Sequence, residues 1–515
     1  MLRASPRFSR RVSAPRDQEG IAPEAGLVVN VEWPLPSRLP AGTATAALIS
    51  GTCFHRRHEV DGLEIVVGGA AHRPAAFGMP RPDVARVAGE AAELAYRSGF
   101  WGLLPIEATA PGEVEVQLAV RLADGHELRP PVGPIEIVER QTPPVLGARP
   151  ERSGAGLIAI CMATFEPDIR LFRAQIESLR SQSDKRWVCL ISDDCSSPQR
   201  FDEMIAVLDG DPRFAVSRSE ERLGFYWNFE RALELVPREA ELVALCDQDD
   251  RWHPDKLEVL RGALGDAVLA YSDLRLVDAE GRVLRETFWR GRRNNHTNLA
   301  SMLVANTVGG AAMLFRRDLA QLALPFPNLP GLQFHDHWLG VLALSAGRLA
   351  YVDRPLYDYV QHRGAVFGDV SQGSGPPRKG RLRRFVRALR QGWRGVFDGW
   401  RAAYFHGYVA RELQARTLLA RCPERLGADK RRVLRLFVAC GRSPAAWAWL
   451  AARSARGLVG RNETLGSEIQ LAQGILWRWL IALCARRRGR PTCDASIPSL
   501  GSFEQKRLRR WRARL

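Results

Sequence analysis

Between residues 157 and 247, four short apolar runs alternate with helix-periodic stretches, and this alternation constrains the fold more than any other feature of the 515-residue chain. Residues 157–162 are continuously apolar, and Ile169, Phe172, Ile176 and Leu179 follow at helical spacing. Further runs at 187–191, 214–216 and 242–246 are separated by helical stretches around 204–208 and 226–235. Strands that are apolar along their whole length and joined through helices form a parallel, twisted sheet covered on both faces. Ligands of such sheets collect beyond the carboxyl ends of the strands.

The residues after each run carry chemistry. The fourth run ends in Asp247, Gln248, Asp249, Asp250, Arg251 and Trp252, with three carboxylates within four residues. Clustered carboxylates repel unless a cation or a ligand hydroxyl offsets them, and a hard divalent ion shared with substrate phosphates is the usual solution. The bland alternative is a solvated acidic turn ahead of the helix near Pro254. The first run ends in Thr164, Phe165, Glu166 and Pro167, the second in Ser192, Asp193, Asp194 and Cys195. Such hydroxyl and carboxylate groups suit a nucleobase and ribose, and each also suits a helix N-cap.

In this order, these segments resemble a glycosyltransferase of family 2 over residues 157–370. The fold this implies is α/β, the GT-A (Rossmann-like, nucleotide-sugar-binding) domain, with the acidic turn similar to the D-x-D motif of bacterial rhamnosyltransferase-like members. The match continues through Arg222 to Asn228, Asn306 to Gly310, Phe334 to Trp338 and Tyr357 to Gly364. Carried over by position, the resemblance implies donor contacts at Thr164, Phe165, Glu166, Asp193, Asp194, Gly224, Asn228, Asp247, Gln248 and Asp250. Within that set Asp194 takes the base and Asp247 the ribose. Asp249 and His362 are the implied metal positions for Mg or Mn, Asp336 is the implied general base, and Trp252, Gly309, Gly310, His335, His337 and Trp338 face the acceptor. Cys195, His337 and Val360 depart from the pattern, standing where Gly, Trp and Arg are usual. Gln182, Arg186 and Trp187 have the spacing of a processive-synthase motif but precede the second strand, so a non-processive enzyme is expected.

The flanks differ in character. Residues 27–142 show short runs (Leu27–Trp33, 63–67, 114–122, Ile135–Val138) between turn signals such as Asp124-Gly125, the pattern of a small β-sandwich. Its His55, His58 and His72 lack a ligand spacing and read as surface histidines. A proline- and glycine-rich linker spans 143–156, and a second spans 371–379. The first 26 residues read as disordered and basic, without the apolar stretch of a secretory signal.

Residues 380–515 read as basic amphipathic helices. From 378 onward there are 32 Lys and Arg against 8 Asp and Glu, a net +24 inside an overall +17, so the first 377 residues are mildly acidic. Leu382, Phe385, Val386, Leu389, Trp393 and Val396 make an apolar stripe and Arg383, Arg387, Arg390 and Arg394 a basic one. Trp400, Trp477 and Trp479 are interleaved farther on. Such faces suit an anionic membrane surface, a nucleic acid, or an ordinary solvated bundle. Nine cysteines without a C-x-x-C pair argue against a disulfide framework or zinc site and for a reducing cytoplasm. No apolar run of 18 residues is present.

Together these features predict an inverting, metal-dependent hexosyltransferase, cytoplasmic and peripheral at the inner face of the cell membrane, without a nucleic-acid partner. It would move a sugar, rhamnose by the resemblance, from a nucleotide donor to a cell-surface polysaccharide or lipid-linked glycan. Two other classes stay open: a non-catalytic carbohydrate- or nucleotide-binding protein, and a nucleic-acid-binding protein using the basic region.

Overall fold

A nine-stranded mixed sheet carries the middle of the chain in a computed structural model that describes residues 26–146, 155–289, 292–331, 333–362, 392–486 and 494–498. Its parallel half has the order Phe214–Arg218, Trp187–Asp193, Ile158–Thr164, Leu242–Asp247, the four runs expected from sequence. These strands are buried on both faces over nearly their whole length, which is why their sequences are apolar rather than alternating. Register aligns their carboxyl ends, with Thr164 opposite Asp193 and Ala163 opposite Asp247. Backbone geometry alone therefore brings a hydroxyl and two carboxylates to one edge.

Beyond Leu242–Asp247 the direction changes. Met313–Arg316 runs antiparallel to it and to Leu269–Asp278, which in turn is parallel to Leu349–Gln361. The two-residue strand Arg251–Trp252 folds the acidic turn back onto Leu349–Gln361, with Arg251 opposite Asp358. The helix Ile169–Arg180 buries Phe172, Ile176 and Leu179, the face expected from their spacing, and Asp168 caps it by accepting from the Arg170 and Leu171 amides. Gln182 and Trp187, the processive-motif look-alikes, are structural. Gln182 donates to the His253 carbonyl and accepts from the Leu257 amide, and Trp187 is buried against Phe214.

The N-terminal region forms a sheet of Leu27–Trp33, Thr43–His55, Gly99–Ala108 and Ala76–Met79, and a second of Glu127–Leu128, Val116–Leu122, Val60–Val67 and Ala70–His72. A small third sheet adds Arg38–Pro40, Ile135–Val138 and Gly112–Val114. Ile49, Leu104, Ile65, Leu118 and Val120 fill one core from the first two sheets. Thr43–His55 and Gly99–Ala108, which sequence reading passed over, lack alternation because their second faces are also covered. Ala46, Leu48, Trp101 and Leu103 belong to the core shared with the rest of the molecule. His55 is not a surface histidine: it is buried, and its Nδ1 accepts from the Arg57 and His58 amides to shape the turn. His58 lies beside Asp124. The start of the expected 143–156 linker is engaged, since Leu146 bridges to Val216 at the edge of the central sheet and Ser217 donates to the Pro144 carbonyl.

The C-terminal region is helical: Gly392–Ala402, the π-type stretch Ala403–Val409, Ala410–Arg421, Ala428–Ala439, Pro444–Ala452 and Ser467–Arg486. It is packed into the molecule rather than hung from it. Trp101 donates to the Tyr404 hydroxyl, the Ala46 amide to the Thr417 hydroxyl, and Arg478 to the Ala75 carbonyl. Two readings of the basic region change accordingly. Trp477 is 1% exposed and is core rather than a membrane-facing aromatic. Several arginines serve the fold, and Arg421 alone donates to the carbonyls of Ala44, Leu322, Ala323 and Pro325. The expected disordered stretch up to residue 25, the middle of the first linker, the 371–379 linker and the stripes from Leu382 to Arg390 lie outside the described residues. Among the described residues, no helix is long and apolar enough to cross a membrane.

Candidate active site

The edge where the parallel strands end is built by carboxylates that organise loops. Asp193, fully buried, accepts from the Ser196 amide and hydroxyl at 3.0 and 2.6 Å and from the Thr164 hydroxyl at 3.2 Å. It locks the turn after its strand, which corrects its assignment as a donor contact. Asn228 is likewise structural, its amide donating to the Thr164 and Ser192 carbonyls while its oxygen accepts from the Ser192 hydroxyl. Asp194 accepts from the Leu223 and Gly224 amides at 2.6 and 2.8 Å, one per oxygen, so it clamps the loop entering the helix Phe225–Glu234. Burial raises its pKa and those two bonds oppose the rise. Each oxygen keeps a second lone pair for a ligand. Gly224, at φ 86°, supplies a backbone conformation that a side chain would strain.

Phe165 and Gln248 pair reciprocally. The Gln248 side chain accepts from the Phe165 amide at 2.8 Å and donates to its carbonyl at 3.2 Å, tying the first strand's end to the acidic turn. Arg222 lies 4.0 Å over the Phe165 ring. Glu166 reaches across to accept from the amide and hydroxyl of Ser197, capping the neighbouring helix Pro198–Leu208.

In the acidic turn the three carboxylates have three environments. Asp247 is half-buried, and burial, then Asp249 and Asp336, push its pKa up to about 7. Asp249 is also half-buried, and its Oδ2 lies 2.7 Å from His362 Nε2, a bond that raises the imidazole's pKa. Asp250 is fully buried: one oxygen accepts from the Val360 amide at 3.3 Å, the other has no partner among the described residues, and burial drives its pKa well above the carboxylate range. That position corrects Asp250 from donor contact to interior support.

Beside Asp250 lies a residue that sequence reading missed. Lys256 is fully buried, its Nζ 3.1 Å from the Trp252 ring centre and bonded to the Ala311 carbonyl, and burial depresses its pKa. Nothing in the sequence distinguishes this lysine from an ordinary solvated one at a helix start. Trp252 is 3% exposed beneath that ammonium, so it is a packing residue and not the acceptor contact expected.

Asp336 stands at the second position of the helix His335–Ala346, its Oδ1 accepting from the His337 amide at 2.6 Å. Phe334, not Asp336, occupies the N-cap. Burial pushes the Asp336 pKa to about 7, while the bonds to the backbone pull it down. Asp336 in turn adds to the rise of the Asp247 pKa, after burial and Asp249. His335 stacks on Phe229 at 3.8 Å, and its two ring nitrogens are buried without a partner among the described residues. A Cβ on Gly310 would sit 2.6 Å from its Nε2, so a side chain there would have to displace the imidazole, while Gly309 adjoins the Tyr357 hydroxyl. His337 and Trp338 are not acceptor contacts. Both are buried, His337 Nε2 meeting the Met302 carbonyl at 2.9 Å and Trp338 donating to the Ala323 carbonyl at 3.0 Å.

Among the described residues no group of three or more His, Cys, Asp and Glu side chains is arranged to hold a metal. The Asp249 oxygen and His362 nitrogen are a pair of donors of the kind that hold a divalent cation together with substrate phosphates.

Residues 160–322 match the family model described as glycosyl transferase family 2, so this stretch is a glycosyltransferase domain of that family with the GT-A fold. The uncharacterized protein y4gI of Sinorhizobium fredii is 29% identical over 121 residues, or 23% of this chain, and the chain spans 13% of the length of that curated relative. Similar solved structures include S. aureus TarS 1–349 in complex with UDP-GlcNAc, at 14% identity, 63% of this chain, 92% of that chain and a TM-score of 0.40. GalNAc-T7 with UDP, GalNAc and Mn2+ matches at 11% identity, 40% of this chain, 44% of that chain and a TM-score of 0.33. At these scores the superpositions are loose, and the assignment rests on the sequence match.

Proposed function

We propose that the chain, a family 2 glycosyltransferase through its residues 160–322, transfers a sugar with inversion from a nucleotide donor to a hydroxyl of a cell-surface or lipid-linked glycan. The observation that carries this reading is the alignment of strand ends that brings Asp194, Asp247 and Asp249 to one sheet edge, with Asp336 in the first turn of the helix His335–Ala346. In the proposed reaction the acceptor oxygen attacks the anomeric carbon as the bond from that carbon to the diphosphate oxygen breaks. The hydroxyl proton passes to Asp336, and the nucleoside diphosphate leaves. Asp194 and Asp247 take the nucleoside, and His335 with the Gly309–Gly310 loop lines the acceptor side.

Asp249 and His362 would hold a divalent cation, which when bound supplies positive charge to the departing diphosphate. The cation would take the place of their mutual bond, since the His362 nitrogen ligates only without its proton. Rhamnose is the sugar suggested by the resemblance of the acidic turn. Incubating the purified chain with Mg or Mn and a panel of UDP-, dTDP- and GDP-sugars tests the reading. Saturable hydrolysis or transfer with at least one donor is expected, and neither binding nor turnover of any donor would sink it.

A further inference from the structure

We propose that the surface formed by the helix Pro444–Ala452 and the turn running on to Val459 docks on an anionic lipid bilayer. The inference rests on the transferase reading for what the membrane would deliver, a lipid-linked acceptor, but the surface itself is read from burial and charge. Pro444–Ala452 has the sequence PAAWAWLAA, nine residues without a charged or hydroxyl side chain. A helix apolar all round belongs in a core or a membrane. Here only Ala446 and Leu450 are buried, while Pro444, Ala445, Ala448 and Ala452 are exposed and Trp449 is half-exposed. Farther along the segment, past Arg453, Ser454 and Arg456, Leu458 and Val459 are 81% and 76% exposed ahead of Gly460 at φ 75°. Large apolar side chains exposed together in one short segment point to an interaction site.

Charge selects the occupant. Exposed Arg442 and Arg461 bracket the segment, and Arg432 and Arg435 are exposed on the preceding helix Ala428–Ala439. Exposed apolar residues flanked in sequence by exposed arginines complement acyl chains beneath anionic headgroups.

The surface is joined to the acceptor side. Arg453, whose guanidinium lies 5.3 Å from the Trp449 ring centre, donates to the Ser301 hydroxyl at 2.9 Å. Arg456 donates to Glu463, which accepts from Ser301 at 3.1 Å, and the Glu463 carbonyl accepts from Arg292 at 2.6 Å. Arg292 also donates to the Ala305 carbonyl, one residue before the loop that carries Gly309 and Gly310. The docking turn and the acceptor loop thus share one hydrogen-bonded support.

Full-length protein is co-sedimented with vesicles of phosphatidylcholine alone and with added phosphatidylglycerol. The proposal expects binding to the anionic vesicles that weakens with salt. It expects a fall of about tenfold or more in the double variant Leu458→Asp, Val459→Asp, and a smaller fall in Arg442→Glu with Arg461→Glu. Donor hydrolysis in solution should be unchanged in both, because these residues lie outside the reaction site. No binding by the parent protein, or equal binding by the Leu458/Val459 variant, overturns the proposal. So does self-association, seen by sedimentation velocity, that this variant abolishes without any vesicle binding. Vesicle binding with no donor turnover would instead contradict the transferase reading and leave the docking surface standing.

Discussion

Asp336 combines two environments that pull against each other. Burial at the site raises its pKa to about 7, while the helix N-terminus and the His337 amide favour the charged form. A base must be ionised to accept a proton, so turnover should rise with pH through about 7 and level off above it. A profile flat from pH 5.5 to 8.5 would remove Asp336 from that role. At neighbouring positions the residue type was legible but its direction was not. Trp338 and His337 follow Asp336 in sequence, yet the helix turns both into the interior. Replacing Trp338 by Ala should cost about 3–5 kcal/mol in denaturant unfolding, whereas Trp338→Phe should leave the acceptor KM unchanged. A large rise in that KM would restore Trp338 to the acceptor site.

At the scale of elements, the parallel strands and their helices were legible because a strand covered on both faces must be apolar throughout. The ends of those strands also gave the loops, since aligned register brings Thr164, Asp193 and Asp247 together. The division of labour among carboxylates was hidden, because it depends on contacts across loops. Asp193 and Asp250 turn inward, and Asp194 faces the 223–224 amides. Strands Thr43–His55 and Gly99–Ala108 were missed for a related reason, their outer faces being covered by helices more than 290 residues away in sequence. Arg421, at the end of Ala410–Arg421, joins these layers through four carbonyls. Arg421→Met should therefore lower stability by about 1–3 kcal/mol, as a loss of buried donors does. Unfolding unchanged from the parent would show that water replaces the guanidinium there.

For the whole molecule, the net charge of +17 conceals a body and a basic region that are structurally one object. The C-terminal helices cover Ala46, Leu48 and Trp101 of the N-terminal sheets and share a core with the transferase domain. A chain ending at residue 377 should consequently expose this core, bind a hydrophobic dye and aggregate. A monodisperse fragment with a cooperative transition would show that the body folds alone. The basic region is then a structural partner of the domain.

The central claim is that Asp336 accepts the acceptor's proton at a site whose donor contacts come from other residues. The direct measurement compares the parent chain with Asp336→Asn, using the donor that the panel identifies: nucleotide-sugar affinity by titration calorimetry, and transfer or hydrolysis by release of nucleoside diphosphate. The account predicts donor affinity within about twofold and turnover reduced by at least ~100-fold. Unchanged turnover in Asp336→Asn would contradict it.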